Sequence, residues 1–294
     1  MANLKEVRTR LSSVATTKQI TSAMKMVAAA KLKKAQDAII QIRPYANKLH
    51  EILSNVSESL ESNKENIYGE QRELNKILIV VITSNKGLCG AFNTNVIKKT
   101  VEITNNKFSG QFKEGNVSFI TIGKKVTDFL SKKKYNIFYS DNNILEKTNF
   151  DDVSQLAETI MNKFINKDYD KIILIYNQFK NAGVQILKQE QFLPIEIQEQ
   201  DKDKITSQSE YLFEPSKDYI VNELIPRSLK IQFYRALLDS VASEHGARMT
   251  AMHKATDNAT EIIKELQLQY NKLRQASITN EILEIVGGAE ALKK

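Results

Sequence analysis

Hydrophobic residues near the N-terminus recur at alternating steps of three and four, at Leu4, Val7, Leu11 and Val14. This spacing is typical of a seam along one side of a helix. No glycine occurs between positions 3 and 59, and Pro44 is the only proline there. The pattern therefore predicts one long N-terminal helix within residues 1–60, with a length on the order of 80 Å.

The middle of this predicted helix is apolar around most of its circumference. The stretch Ile20–Gln36 reads ITSAMKMVAAAKLKKAQ, with apolar residues at Ile20, Ala23, Met24, Met26, Val27, Ala28, Ala29, Ala30 and Leu32. An ordinary surface helix has one apolar stripe and one polar face. An apolar sleeve of this kind predicts that another protein surrounds the helix.

The C-terminal part of the chain repeats the helical pattern. Between positions 219 and 285 the only helix breakers are Pro226 and Gly246, and a seam in steps of three and four runs from Ile231 to Ala276. This predicted seam includes Ile262 and three polar residues, His245, Arg248 and Gln269. Gly287 and Gly288 predict the end of the helix. Two long helices at opposite ends of one chain most simply pair as an antiparallel coiled coil.

The period changes between the two helices. Near-continuous, β-branched apolar runs typical of buried parallel strands occupy positions 76–83, 117–123, 136–140 and 171–179. Helical patterns lie between them at positions 93–105, 124–133 and 152–166. The alternation predicts a Rossmann-like, doubly wound α/β domain at 74–198, inserted into the coiled coil. A polar loop at 199–216 would then lead to a C-terminal helix at 217–294.

Charge is unevenly distributed. The chain of 294 residues has a formal net charge of +7, and residues 1–50 hold ten basic and two acidic side chains. Such asymmetry indicates a polyanionic partner. The N-terminus lacks a signal-peptide pattern, and no run of 18 apolar residues predicts a membrane span.

The stretch SNKGLCGAFN, Ser84–Asn93, follows the first predicted strand and opens a helix. Phosphate-binding loops occupy that position in α/β domains. The stretch matches neither GxGxxG nor GxxxxGK[ST], so a tight structural turn is favoured over nucleotide binding. Cys89 and the scattered histidines predict no metal or catalytic site. For the lysines that follow the sleeve, a solvated face, nucleic acid and an acidic protein partner remain open.

Four blocks, in order along the chain, resemble the gamma subunits of F-type ATP synthases. They are ITSAMKMVAAAKLKKAQ, GLCGAFN, SEHGARMTAM and ITNEILEIVGGAEAL. The resemblance implies a central-stalk rotor subunit of a proton-translocating enzyme, without catalytic residues, metal or cofactor of its own. Such a subunit couples rotation of the membrane c-ring to conformational changes in a head of alpha and beta subunits.

The resemblance also implies contact residues. Those expected to contact the alpha/beta head are Met24, Lys25, Arg248, Arg274, Gln275, Thr279 and Glu281, and those expected to seat on the c-ring are Tyr211, Phe213 and Glu214. An epsilon subunit would bind at the foot. The expected location is the cytoplasmic side of a bacterial inner membrane, as a peripheral protein without nucleic-acid partners.

Two positions depart from the family pattern. Gly246 stands where alanine is common, and a glycine there is expected to soften the helix by about 1 kcal/mol of helix propensity. Phe213 stands where tyrosine is common, which removes a hydroxyl but keeps the ring. Two other functions are weighed against the rotor: an independent nucleotide-binding α/β enzyme using Gly87–Gly90, and a coiled-coil nucleic-acid binder using the lysines.

Overall fold

The computed structural model describes residues 4–57, 67–195 and 217–291. In chain order its elements are α1 (Leu4–Ser57), β1 (Ile77–Ile82), α2 (Phe92–Glu102), α3 (Ser109–Lys113), β2 (Val117–Ile122), α4 (Lys124–Lys132), β3 (Ile137–Asp141), α5 (Phe150–Ile165), β4 (Lys171–Asn181), β5 (Val184–Leu193) and α6 (Lys217–Ala291). One π-helical turn, Ile103–Lys107, joins α2 to α3.

The chain divides into two compact units. The first unit comprises Met1–Ala28 and Arg248–Lys294, and the second comprises Ala29–Ala247. Both long helices contribute to both units, because α1 has 54 residues and α6 has 75. The predicted combination of two long terminal helices and an inserted α/β domain is confirmed. The predicted loop at 199–216 lies outside the described residues.

The sheet of the second unit has the strand order β3-β2-β1-β4-β5, and its first four strands are parallel. Alternate residues of β1 face opposite sides of the sheet, as the period of two requires. Leu78, Val80 and Ile82 pack with α5 and α6, whereas Ile77, Ile79 and Val81 pack with α2 and α4. Burial on both faces explains why these strands are continuously apolar.

The sequence interpretation missed strand β5, which pairs antiparallel with β4 at the edge of the sheet. Its sequence VQILKQEQFL alternates apolar and polar residues, and most of its side chains are exposed or half-buried. Only Phe192 and Leu193 at its end are fully buried. An edge strand with one solvated face lacks the apolar run by which the other four were predicted.

The two long helices contact each other in both units, and the contacts in the first unit show that they pair antiparallel. In the first unit the hydroxyl oxygens of Thr21 and Thr256 lie 2.9 Å apart, and Lys25 Nζ lies 3.4 Å from His253 Nδ1. A step forward along α1 thus corresponds to a step back along α6. In the second unit the guanidinium of Arg227 lies 5.8 Å from the ring centre of Tyr45.

The seam of α6 differs from the prediction after Ala259. Ile262 and Gln269 were predicted to face α1 but are exposed, whereas Ile263 and Tyr270 are half-buried. The observed seam continues in steps of four and three through Ala259, Ile263, Leu266, Tyr270 and Leu273. Leu266 and Leu273 therefore lie on the seam as predicted, and the prediction is wrong in placing a step of three after Ala259 and after Leu266, where the structure has a step of four.

The predicted helix stop at Gly287 and Gly288 is also wrong, since α6 continues to Ala291. Neither glycine has a positive φ. A glycine ends a helix through the left-handed conformation, and glycine without it only weakens the helix.

Candidate functional site

The side of α1 that faces away from α6 carries large apolar side chains. Ile20 is 55% exposed, Met26 is 65% exposed and Val27 is 58% exposed. On the opposite side of the same turns, Thr21 and Ala28 are buried. The pairing with α6 therefore covers only one part of the apolar sleeve. We call Ile20, Met26 and Val27 the apolar face.

Met24 and Lys25 border this apolar face, and both are half-buried. Lys25 Nζ lies 3.4 Å from Nδ1 of His253, whose ring is 3.6 Å from a carboxylate oxygen of Asp257 one turn later on α6. The apolar face and these polar groups share the first unit of the structure. They combine a hydrophobic contact surface with a polar rim, the usual composition of a protein interface.

Arg248 lies on the buried side of α6 and is only 9% exposed. His253 lies five positions later, in the same part of the helix. Arg248 is therefore closer to the seam of α6 than we expect of a residue that contacts another subunit.

The four remaining predicted head contacts lie near the C-terminal end of α6, and all are exposed: Arg274, Gln275, Thr279 and Glu281. The Thr279 hydroxyl donates to the backbone oxygen of Gln275 at 2.9 Å, and the Ser277 hydroxyl donates to a Glu281 carboxylate oxygen at 3.3 Å. From Ile278 to Ala289 every residue is exposed.

Large apolar side chains remain exposed in this end segment, namely Ile278, Ile282, Leu283, Ile285 and Val286. All seven predicted head contacts therefore fall in the first unit. Six of them lie beside one of two exposed apolar surfaces, and Arg248 is buried. The predicted c-ring contacts Tyr211, Phe213 and Glu214 lie outside the described residues.

The glycine-containing loop Ser84–Asn93 forms a turn closed by its own side chains. The Asn93 side-chain oxygen accepts from the Ser84 backbone N–H at 2.9 Å, and the Asn93 amide donates to Cys89 Sγ at 3.2 Å. Cys89 is buried, and Leu88 and Gly90 have positive φ values of 62° and 59°. These contacts account for the loop as a structural turn.

Sequence reasoning missed a buried polar cluster where α6 packs on the sheet. Tyr176 donates its hydroxyl to Glu190 Oε2 at 2.7 Å, and the side-chain amide of Gln232 donates to the other oxygen of Glu190. Burial raises the pKa of Tyr176, and the carboxylate of Glu190 adds to this effect.

Asp239 belongs to the same region and is also buried. Burial raises its pKa to about 6, although Arg235, the Phe179 N–H and Arg43 oppose the shift. The sequence did contain a signal for this buried acid, because Asp239 is the only charged residue in the apolar stretch ALLDSVA.

Within the described ranges no group of three or more His, Cys, Asp or Glu side chains could hold a metal ion. The same part of the chain contains no helix long and apolar enough to cross a membrane.

Comparisons with known proteins cover nearly the whole chain. The sequence profile of the family described as ATP synthase matches residues 3–292. The ATP synthase gamma chain of Christiangramia forsetii is 56% identical over 292 residues, which is 99% of each chain. The gamma chain of Flavobacterium psychrophilum is also 56% identical, over 294 residues and the full length of both chains.

Solved structures show the same fold. A chain from the Tetrahymena thermophila mitochondrial ATP synthase, described as central stalk and c-ring, has a TM-score of 0.58 and 28% identity, covering 80% of this chain and 99% of that one. A chain from the Euglena gracilis mitochondrial ATP synthase has a TM-score of 0.67 at 21% identity, covering 98% and 94%. The full-length sequence match and the shared fold lead to one conclusion: this chain belongs to the family of ATP synthase gamma chains.

Proposed function

We propose that this chain is the central-stalk rotor of a proton-translocating F-type ATP synthase. It couples rotation of a membrane c-ring to conformational changes at the catalytic sites of an alpha/beta head, and it performs no chemistry itself. The observation that carries the proposal is the apolar face of α1, which stays exposed beside a paired coiled coil. Family membership and the central-stalk relative from Tetrahymena support the same function.

The apolar face explains how a shaft can turn inside a ring of subunits. Exposed apolar side chains lose contact with water when a collar of subunits surrounds them. This burial stabilises the complex by roughly 25 cal/mol per Å² of apolar area. Apolar contacts are non-directional, so they are not tied to one angular position. Polar partners such as Lys25 and His253 would instead make contacts that change as the shaft turns.

The cross-section of the first unit is asymmetric, because large apolar groups occupy one side of α1 and polar groups another. A rotating asymmetric shaft presents a different surface to each catalytic site in turn. Each site then shifts between its conformations according to its contacts with the shaft. Contact differences of a few kcal/mol are enough to reverse the population of two states.

The proposed partners are the alpha and beta subunits, through Met24, Lys25, Arg248 and the exposed end of α6. The c-ring would bind the foot segment with Tyr211, Phe213 and Glu214, and an epsilon subunit would bind near the foot. The bacterial relatives favour a location on the cytoplasmic side of the inner membrane, attached as a peripheral part of the enzyme.

The function is tested by ATP hydrolysis with the purified chain alone and after mixing with the alpha and beta subunits of its host. A rotor is inactive alone and joins an active complex. Hydrolysis by the chain alone, without assembly, would contradict the proposal and favour nucleotide use at Gly87–Gly90.

A coupling variant tests the position of Met24. Met24→Lys places a second ammonium group next to Lys25, facing an expected acidic surface of the beta subunit. We expect ATP hydrolysis to persist while ATP-driven proton pumping falls, because the added ionic contact with the beta subunit impairs coupling between hydrolysis and rotation. Pumping equal to that of the wild type, measured by quenching of a pH-sensitive dye in membrane vesicles, would show that Met24 does not face the beta subunit.

A further inference from the structure

The parallel register of the sheet brings the starts of four strands to one edge. Ile77 of β1 pairs with Val117 of β2 and with Lys171 of β4, while Phe119 pairs with Ile137 of β3. The residues that immediately precede these strands therefore lie along the same edge of the second unit.

That edge is strongly basic. Six exposed lysines precede the strands, and we call them the basic rim: Lys76, Lys113, Lys132, Lys133, Lys134 and Lys167. In the described part of the chain none of the six forms an ion pair. Glu70, Glu73 and Glu114 are the exposed acids of the segments that precede the strands, and Glu70 forms an ion pair with Arg72.

The other acidic groups at this edge already have partners. Asp168 pairs with Lys163 at 2.9 Å, and Asp170 accepts from the backbone N–H groups of Asn75 and Lys76. Their charges are therefore partly neutralised within the protein, and the basic rim keeps its excess of positive charge.

The opposite edge of the sheet provides a contrast. Its exposed lysines Lys86, Lys124, Lys125, Lys147 and Lys180 are accompanied by four nearby carboxylates, those of Asp141, Glu146, Asp151 and Asp152. The excess of positive charge is thus larger at the edge with the basic rim.

The basic rim lies on the side from which the chain leads to the proposed foot. The backbone N–H of Ile195, just after β5, donates to the oxygen of Tyr68 at 2.9 Å. Positions 196–216, which contain the proposed c-ring contacts, connect Ile195 to the start of α6 at Lys217.

Helix α6 has the same direction as β4. Phe233 packs against Phe192 near the start of β4, with ring centres 5.8 Å apart, and Gly246 lies against Ala182 just after its end. The part of α6 that precedes Phe233 therefore points toward the edge with the basic rim. In a rotor seated by its foot, this edge faces the membrane.

We propose that the basic rim binds the anionic lipid headgroups of the membrane that surrounds the c-ring. The inference rests on the proposed rotor function, which orients this edge. Each exposed lysine near an anionic bilayer is attracted to its surface, so several lysines on one edge add to the affinity. The rim consists of lysines on separate loops and helix ends, and such a surface can exchange lipids as the rotor turns.

The test uses the complex of this chain with the alpha and beta subunits of its host. Its binding is measured by co-flotation with vesicles of phosphatidylcholine alone or mixed with phosphatidylglycerol. The rim variant Lys132→Gln/Lys133→Gln/Lys134→Gln is compared with the matched control Lys124→Gln/Lys125→Gln/Lys147→Gln, which removes the same charge from the opposite edge.

We expect the wild type to bind the anionic vesicles, less so with added salt, and the rim variant to bind at least tenfold more weakly. The control variant should bind within about twofold of the wild type. Wild-type binding without dependence on phosphatidylglycerol, or equal loss in both variants, would overturn the proposal. Equal binding of anionic vesicles by the rim variant and the wild type would overturn it as well.

We also measure the ATP hydrolysis of each complex, so that a failure of the lipid proposal can be distinguished from a failure of the rotor function. Both variants should hydrolyse ATP as the wild type does, because no rim lysine belongs to the proposed head contacts. A chain that fails to support hydrolysis with alpha and beta subunits would refute the rotor function, whereas flotation reports on the rim alone.

Discussion

Gly123 shows how one residue can determine the conformation of a turn. It follows β2 with a φ of +102°, and a Cβ atom there would lie 2.4 Å from the backbone oxygen of Thr83. The same turn joins the end of β1 to α4, since the Thr83 hydroxyl accepts from the N–H of Val126 at 3.1 Å. Only glycine combines this φ with such a close approach.

Gly123→Ala should destabilise the second unit by roughly 2–4 kcal/mol, through backbone strain and a steric clash. Gly110→Ala is the matched control, because Gly110 lies in α3 with nothing within 4 Å of the added atom. The control should leave stability unchanged or raise it by up to about 1 kcal/mol. Urea unfolding followed by circular dichroism measures both variants, and equal stability of the two would contradict the argument.

Asp239 shows how burial alters a titratable residue. Burial raises its pKa from 3.8 to about 6, so the folded protein holds this proton more tightly than the unfolded chain does. The stability that the protonated form of Asp239 contributes is therefore complete below about pH 4 and is lost as the pH rises to about 6.

Asp239→Asn removes this titration. Relative to the variant, the wild type should lose up to about 3 kcal/mol of its free energy of unfolding between about pH 4 and about pH 7. Urea unfolding at the two pH values measures the difference. Asp128→Asn, at an exposed position of α4, is the control and should show no comparable change. A wild type that gains stability relative to Asp239→Asn over this range would show that ion pairing dominates burial.

At the scale of elements, Gly246 connects helix α6 to the hairpin of β4 and β5. A Cβ atom at Gly246 would lie 3.2 Å from both Cα and O of Ala182, in the turn between these strands. The sequence comparison indicated a softened helix at this position. The structure adds a packing reason, since the missing side chain allows the turn to approach the helix backbone.

Two substitutions at Gly246 separate packing from helix propensity. Gly246→Ala should stay within about 1 kcal/mol of the wild type, because the gain in propensity offsets a tight contact. Gly246→Leu has a similar propensity but should cost roughly 1–3 kcal/mol by overpacking. Gly287→Leu is the control, since nothing lies within 4 Å of an added Cβ there. Thermal unfolding distinguishes these cases, and a Gly246→Leu variant as stable as Gly246→Ala would exclude the packing role.

At the scale of the whole molecule, stability and assembly depend on different surfaces. The buried side of α1 stabilises the coiled coil, whereas the apolar face is available for another subunit. Substitutions on the apolar face should therefore change assembly without changing the fold of the isolated chain.

Met26→Asn/Val27→Asn should leave the unfolding of the isolated chain within about 1 kcal/mol of the wild type, apart from helix propensity. Its assembly with alpha and beta subunits should weaken by roughly tenfold or more, because polar groups would enter an apolar contact. Gln41→Asn, at an exposed position of the same helix, is the control. Size-exclusion chromatography of the mixed subunits measures assembly, and normal assembly of the double variant would show that the apolar face contacts neither subunit.

Periodicity predicted the two long helices and the four parallel strands, and the positions of the helices at opposite ends of the chain predicted their antiparallel pairing. Each of these elements repeats one local pattern over many residues, and buried faces require that pattern. The edge strand β5 was not predicted from the sequence, because only its residues Phe192 and Leu193 are fully buried. The apolar sleeve around Met26 indicated a partner, and the four sequence blocks indicated the family.

Tertiary structure decided what depends on residues distant in sequence. The position of Ile263 on the seam depends on which side of α6 faces its partner helix, and the role of Gly246 follows from the approach of Ala182. The raised pKa of Asp239 depends on burial by several elements. The basic rim exists because parallel strands bring Lys76 and Lys132 to one edge. No local pattern encodes such proximity, since it arises only when separate elements pack together.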